Sequence, residues 1–181
     1  MIKVLKNPKT DRYLELKKNV LSDNFPWYWC PESTGGNPEV EGHRNIPYYS
    51  HPLLGRPDVR KFSQVTSVYL EPYIKVAEEI LEHNGMRSNY FFLRACINCV
   101  HPMSGIQYCI PHVDHDFPHK NLIMYFTNSG GNTYVKGGQY FKKYEEYVPK
   151  EDDVVLFSGE HYMQVPKEER RIIIVSTLFE P

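Results

Sequence analysis

The chain has 181 residues, a formal net charge of -1 and a sequence pI near 6.7. That length suits a single domain, 1–181, with a core of its own. Its 24% charged and 14% aromatic residues exclude a disordered polar segment. The near-neutral balance argues against a dedicated nucleic-acid binder, which needs a basic surplus. No apolar run is long enough to span a membrane. Met1-Ile-Lys-Val runs on into further polar residues, so a cytoplasmic protein without a secretory leader is expected. There Cys30, Cys96, Cys99 and Cys109 should be reduced. Cys96-x-x-Cys99 is half a zinc pattern with no second pair, so buried thiols are expected.

In chain order, the first 60 residues read as loop-rich, with Gly35-Gly36, several prolines and the aromatic cluster Phe25-Pro-Trp-Tyr-Trp29. That cluster suits either a wall over a binding site or the packing of helices on a sheet. From about Pro57 to His83, apolar residues recur at three- and four-residue steps, which predicts helix. Val65, Val68, Tyr69, Tyr73, Val76, Ala77, Ile80 and Leu81 carry the pattern. Pro72 should divide this stretch, because proline fits best in a first turn, and Gly85 should stop it. Short strands follow at 89–98, 106–110, 122–127, 139–147, 154–157 and 171–179, separated by turn residues. Helices followed by a run of strands predict a mainly β fold. Its jelly-roll, cupin-like core should occupy 86–181, buttressed by a loop-rich and helical support over 1–85.

His112-Val-Asp114 is the sharpest feature. Residues two apart on a strand face the same side, so an imidazole and a carboxylate can reach one ion from adjacent pleats. A third ligand has to come from elsewhere. Val154-Val-Leu-Phe157 reads as a buried strand that feeds His161 through the turn Ser158-Gly-Glu. Two histidines and one carboxylate on one face of an ion leave other positions open, the arrangement of non-haem Fe(II) oxygenases. H-x-D alone is common, and His101, His115 and His119 crowd the same region, where surface and packing roles compete. Further on, Arg170 and Arg171 stand at the head of a β-branched run, and strand geometry lets only one of them face inward.

The ordered set is H-x-D, Tyr125-Phe-Thr-Asn128, Gly137-Gly138, a strand from Pro149 to Phe157, His161, Pro166 and Arg171. With it, the stretch from His112 to Phe179 resembles the 2-oxoglutarate/Fe(II) oxygenase superfamily in its prolyl 4-hydroxylase-like branch, including short members of phage or marine type. The likeness reaches back towards Arg94 and Asn98. It implies a double-stranded β-helix, with Fe(II) on His112, Asp114 and His161. It also implies 2-oxoglutarate and O2 as cosubstrates, and ascorbate as an optional reductant. Arg171, rather than Arg170, would bind the far carboxylate of 2-oxoglutarate, an anion suited to a guanidinium fork. Tyr108 and Tyr125 stand near the places of tyrosines that assist at the cosubstrate, although Phe126 occupies one of those places. The implied activity is hydroxylation of a small-molecule or peptidyl substrate, in the host cytoplasm if the protein is phage-encoded, with release of succinate and CO2. Two other readings stay open. A cupin-like metalloenzyme without 2-oxoglutarate would have no use for a buried arginine on the last strand. A non-catalytic β-barrel binding protein would have no need of a complete triad. Substrate and oligomeric state are not fixed by these residues.

Overall fold

The computed structural model describes residues 1–34, 42–57, 62–86, 89–137 and 143–181. Gly35, Gly36, Gly138 and the opening of the strand expected at 139–147 lie outside them. The elements run β1 (Lys3–Leu5), α1 (Asp11–Val20), β2 (Tyr28–Cys30), β3 (His43–Arg44), β4 (Tyr48–Leu54) and α2 (Leu70–His83). The core strands are β5 (Phe91–Val100), β6 (Tyr108–Cys109), β7 (Lys120–Tyr125), β8 (Thr133–Lys136), β9 (Tyr144–Tyr147), β10 (Val154–Phe157), β11 (His161–Met163) and β12 (Arg171–Phe179).

Seven strands form an antiparallel sheet in the order β1-β10-β7-β12-β5-β4-β2. A smaller sheet, β11-β8-β9, faces it; β6 joins that layer through the bridge Tyr108–Gln164, and His112 beyond β6 bridges His161. The result is the mainly β jelly roll expected from the strand pattern. β12 is central and buried on both faces, which explains its unbroken Ile-Ile-Ile-Val run. Ile172, Ile174 and Leu178 point to the helices, while Arg171, Ile173 and Val175 point into the barrel.

Both helices cover the outer face of the large sheet. Thr10 caps α1 by accepting the Tyr13 N–H at 3.3 Å, and Tyr13, Leu16 and Val20 form the buried stripe. In α2, Tyr73, Val76, Ala77, Ile80 and Leu81 meet Leu122, Met124, Ile172 and Ile174 of the sheet. Each fully buried aliphatic side chain contributes roughly 1.5–3 kcal/mol.

The stretch expected to be helical from Pro57 is broken: Pro57 is helical, 62–69 are not, and α2 begins at Leu70 with Pro72 in its first turn. Val65 and Val68, which carried the helical pattern, are 71% and 87% exposed. Local polar groups hold this segment extended. Ser63 Oγ donates to Leu93 O at 2.6 Å, Thr66 Oγ1 donates to Pro52 O at 2.9 Å, and Val65 bridges Leu54.

Candidate metal centre

His112 and His161 are held side by side by the backbone. Each N–H donates to the other's carbonyl, at 3.0 Å from His112 and 2.9 Å from His161, and the ring centroids are 4.5 Å apart. Only a bridge holds His112, and Asp114 lies beyond it in a bend, so the expected regular strand stops short of H-x-D. The alternation survives nonetheless, with Val113 half exposed and Asp114 buried. The Nδ1–H of His112 donates to Ile110 O at 3.0 Å, and that of His161 donates to Gly159 O at 3.1 Å. This tautomer leaves an Nε2 lone pair on each ring, as metal-bound histidines require.

Asp114 has two unlike oxygens. Oδ1 accepts from Arg94 Nη1 at 2.7 Å and from Arg56 Nη2 at 3.1 Å, and Arg56 Nη1 also donates to the Asp114 carbonyl at 2.6 Å. Oδ2 is buried without a hydrogen-bond partner and lies 3.6 Å from His161 Nε2. One ligand atom from each of His112, Asp114 and His161 falls within 4.8 Å of the others. An orphaned carboxylate oxygen beside two imidazole lone pairs is what a divalent ion would satisfy, so these residues fit one. Burial pushes the Asp114 carboxyl up, but Arg94, followed by His161, His112 and Arg56, holds it below the usual carboxylate range. Burial, reinforced by His112 and partly opposed by Asp114, pulls His161 down to about 4. Both groups are therefore in the protonation states that a divalent cation would need at neutral pH.

The triad lines a cavity of about 100 Å³. At its closed end sits Arg171, 2% exposed. Arg171 Nε donates to Gly131 O at 3.2 Å and Nη2 to Thr133 Oγ1 at 3.1 Å, and the guanidinium lies 5.2 Å over the Tyr125 ring. Among the described residues no carboxylate pairs with it. A buried, unpaired cation facing a cavity is costly unless an anion joins it. Tyr125 is itself buried, and its hydroxyl is 2.9 Å from Thr133 Oγ1, so it props Thr133 and Arg171 from behind.

No protein-family model and no curated protein sequence matches the chain. Solved structures do match. An oxidoreductase of the 2OG-Fe(II) oxygenase family from Burkholderia pseudomallei superposes with a TM-score of 0.66 at 15% identity, over 92% of this chain and 76% of that one. A Trichoplax adhaerens prolyl hydroxylase, in complex with a hypoxia inducible factor peptide fragment, gives 0.59 at 16% identity, over 99% and 83%. A Pseudomonas putida prolyl-4-hydroxylase gives 0.51 at 11% identity, over 100% and 92%. The chain has the fold of the 2-oxoglutarate/Fe(II) oxygenases.

Within this oxygenase fold the other expected site residues are dispersed. Exposed Arg170 points away from the cavity that Arg171 lines. Tyr108 does not line it either: its ring stacks on His43 at 5.3 Å and meets Tyr134 and Tyr162 edge-on. His115 Nε2 is 2.8 Å from Thr177 Oγ1, and His119 Nδ1 bonds Phe117 O at 2.8 Å, while His101 is exposed beside Cys99. The aromatic cluster divides. Phe25 and Trp27 pack together and against the helix-covered core, whereas Tyr28 and Trp29 are 58% exposed on edge strand β2. Cys96 and Cys99 fall in different core clusters, because three residues along a strand reverses the face. No helix among the described residues is long and apolar enough to cross a membrane.

Two consequences are testable. A Cβ at Gly131 would stand 2.8 Å from Arg171 Cδ and 2.9 Å from the Gln164 carbonyl. Gly131→Ala should therefore displace Arg171 and destabilise the fold by about 1–3 kcal/mol, measured by chemical denaturation. An unchanged midpoint would show that the Arg171 side chain moves freely. The second concerns pH in metal-free protein. Unfolded His161 protonates near its ordinary 6.5, folded His161 only near 4. Between those values the unfolded chain binds more protons, so stability should fall as pH drops through that window, by roughly 3 kcal/mol. His161→Gln should flatten this part of the denaturation–pH profile, and a profile unaltered by it would place the titration elsewhere.

Proposed function

We propose that this protein is an Fe(II)- and 2-oxoglutarate-dependent oxygenase that hydroxylates a small-molecule or peptidyl substrate. The observation that carries the reading is the pairing of two unmet demands in one cavity. Asp114 Oδ2 is buried without a partner beside two histidines, and Arg171 is buried without an anion at the closed end. A divalent ion meets the first demand and a dicarboxylate the second.

Each residue then has a defined task. His112 and His161 offer their Nε2 atoms, already oriented by the Ile110 and Gly159 carbonyls. Arg94 and Arg56 pin Asp114 Oδ1, which fixes the direction of Oδ2. Arg171 anchors the far carboxylate of 2-oxoglutarate with its fork, supported by Thr133 and Tyr125. Ile123, Ile173 and Val175 line the walls and exclude water, which strengthens these charge interactions. Bound Fe(II) supplies the oxygen chemistry that turns 2-oxoglutarate and O2 into succinate, CO2 and a hydroxylated product.

The test is anaerobic titration of the Fe(II) protein with 2-oxoglutarate, followed by exposure to air. A visible metal-to-ligand charge-transfer band and succinate release are expected. Iron binding with no response to 2-oxoglutarate would favour the cupin-like reading, and failure to bind any divalent ion would leave a binding protein.

A further inference from the structure

The three nitrogens of the Arg171 guanidinium have unequal partners. Nε donates to Gly131 O at 3.2 Å and Nη2 to Thr133 Oγ1 at 3.1 Å. Nη1 donates to a thioether, Met163 Sδ, at 3.5 Å. Met163 stands opposite Thr133 in the β11–β8 pairing, so neighbouring strands bring the sulfur and the hydroxyl to the same guanidinium. A thioether sulfur is a weak acceptor, whereas an ionised carboxylate is a strong one. Nη1 is therefore the nitrogen whose present partner an arriving carboxylate displaces most easily.

That sulfur is also open to chemistry. Met163 is half-buried and lines the cavity of about 100 Å³, which has room for a molecule little larger than water, such as hydrogen peroxide. A peroxide gives one oxygen atom to a sulfur lone pair and leaves as water, so the thioether loses two electrons to become the sulfoxide and the peroxide is reduced. The weak acceptor is thereby replaced by a polar S–O oxygen within hydrogen-bond reach of Nη1. Cys109 is close by, since its Sγ accepts the Met163 N–H at 3.1 Å. Burial, partly opposed by that bond, pushes the Cys109 thiol up to about 11. It stays protonated and slow towards peroxide at neutral pH, whereas a thioether needs no deprotonation. We propose that Met163 is a redox modification site. Its sulfoxide occupies Nη1 of Arg171, competes with the far carboxylate of 2-oxoglutarate and weakens the cosubstrate site until the sulfur is reduced again. This rests on the oxygenase reading above and adds a regulation of the same site.

The experiment treats isotope-labelled, Zn(II)-loaded whole chain, free of iron, with hydrogen peroxide and locates the added oxygen by peptide mass. The Arg171 side-chain N–H resonance is followed, and 2-oxoglutarate is then titrated by calorimetry. Oxidation of Met163 should shift that resonance and weaken 2-oxoglutarate binding about tenfold or more, as expected for the loss of one hydrogen bond to a charged group. Methionine sulfoxide reductase should restore the affinity, and a thiol reductant should not. Met163→Leu, a volume-conserving change, should keep after peroxide the affinity it had before. Met163→Gln places a carbonyl oxygen near the same point and should bind weakly without any peroxide. Oxidised Met163 with unchanged affinity and an unmoved Arg171 resonance would overturn the inference. So would an equal loss in Met163→Leu or recovery with thiol reductant alone, because cysteine oxidation would then be the cause. Met163 left unmodified by peroxide that converts Met1, which is 90% exposed, would overturn it too. Absence of 2-oxoglutarate binding in the untreated protein would instead remove the oxygenase reading, and the Arg171 resonance would still test the contact with the sulfoxide.

Discussion

Replacing Arg171 with alanine should weaken 2-oxoglutarate binding by about two to four powers of ten. The guanidinium is buried at the closed end of the cavity, and its described partners, Gly131 O, Thr133 Oγ1 and Met163 Sδ, are all uncharged. A carboxylate arriving there would lose its water and gain one fixed cation. Removing that cation leaves the carboxylate buried and unpaired, a loss of roughly 3–5 kcal/mol. Arg171→Lys should recover part of the affinity, since a charge remains but the fork is lost. Arg170→Ala should change it less than about threefold, because that side chain is exposed. Stability separates this role from a structural one. An unpaired buried cation costs the ligand-free fold, so Arg171→Met should leave ligand-free protein as stable as before or more so. Added 2-oxoglutarate should then raise the melting temperature of the unaltered protein and not of the variant. Equal affinity in Arg171→Ala and the unaltered protein would take 2-oxoglutarate out of this cavity.

Why some of this was readable in the sequence and some was not follows from the range of the interactions. Strands β10 and β12 were readable to the residue, because both are interior runs of β-branched and apolar side chains between turn residues. Strand parity forced Arg170 and Arg171 to opposite faces, and burial of Arg171 settles which one turns inward. Helix α1 was not readable. It has only Tyr13, Leu16 and Val20 on its buried stripe, diluted by charged neighbours. Strand β8 has four residues inside a Gly- and Asn-rich stretch, so it passes for a turn, yet it supplies Thr133. The glycines that drew attention were Gly137 and Gly138, whereas the close approach to Arg171 is made at Gly131. Arg56 lies 58 residues from the carboxylate it holds, a contact that no local pattern encodes.

Removing one residue of the proposed metal site should have a different signature at each position, and the two arginines on Asp114 cause the difference. His161→Ala deletes an imidazole whose Nε2 lies 3.6 Å from Asp114 Oδ2 and leaves the rest of the cluster in place. Outer partners of metal ligands cost about 10- to 100-fold in metal affinity when lost, so loss of a ligand itself should cost about a hundredfold or more. Folding should change little, since a group that is hard to protonate is gone and only a small cavity replaces it. Asp114→Ala should also lose the metal, but it removes the carboxylate that Arg94 and Arg56 share. Two guanidinium groups would then face each other beside a partly closed cavity, which should destabilise the metal-free fold by roughly 3–5 kcal/mol. Asp114→Asn keeps an oxygen for the arginines and should fall between the two in stability while binding metal poorly. Fe(II) titration read by calorimetry, paired with denaturation of metal-free protein, measures both quantities for each variant. His119→Ala is the control: its Nδ1 is held by Phe117 O and it lies outside the ligand cluster, so metal affinity should change less than about threefold. Normal metal binding by His161→Ala, or a hundredfold loss with His119→Ala, would move the third ligand from β11 to the loop after Asp114.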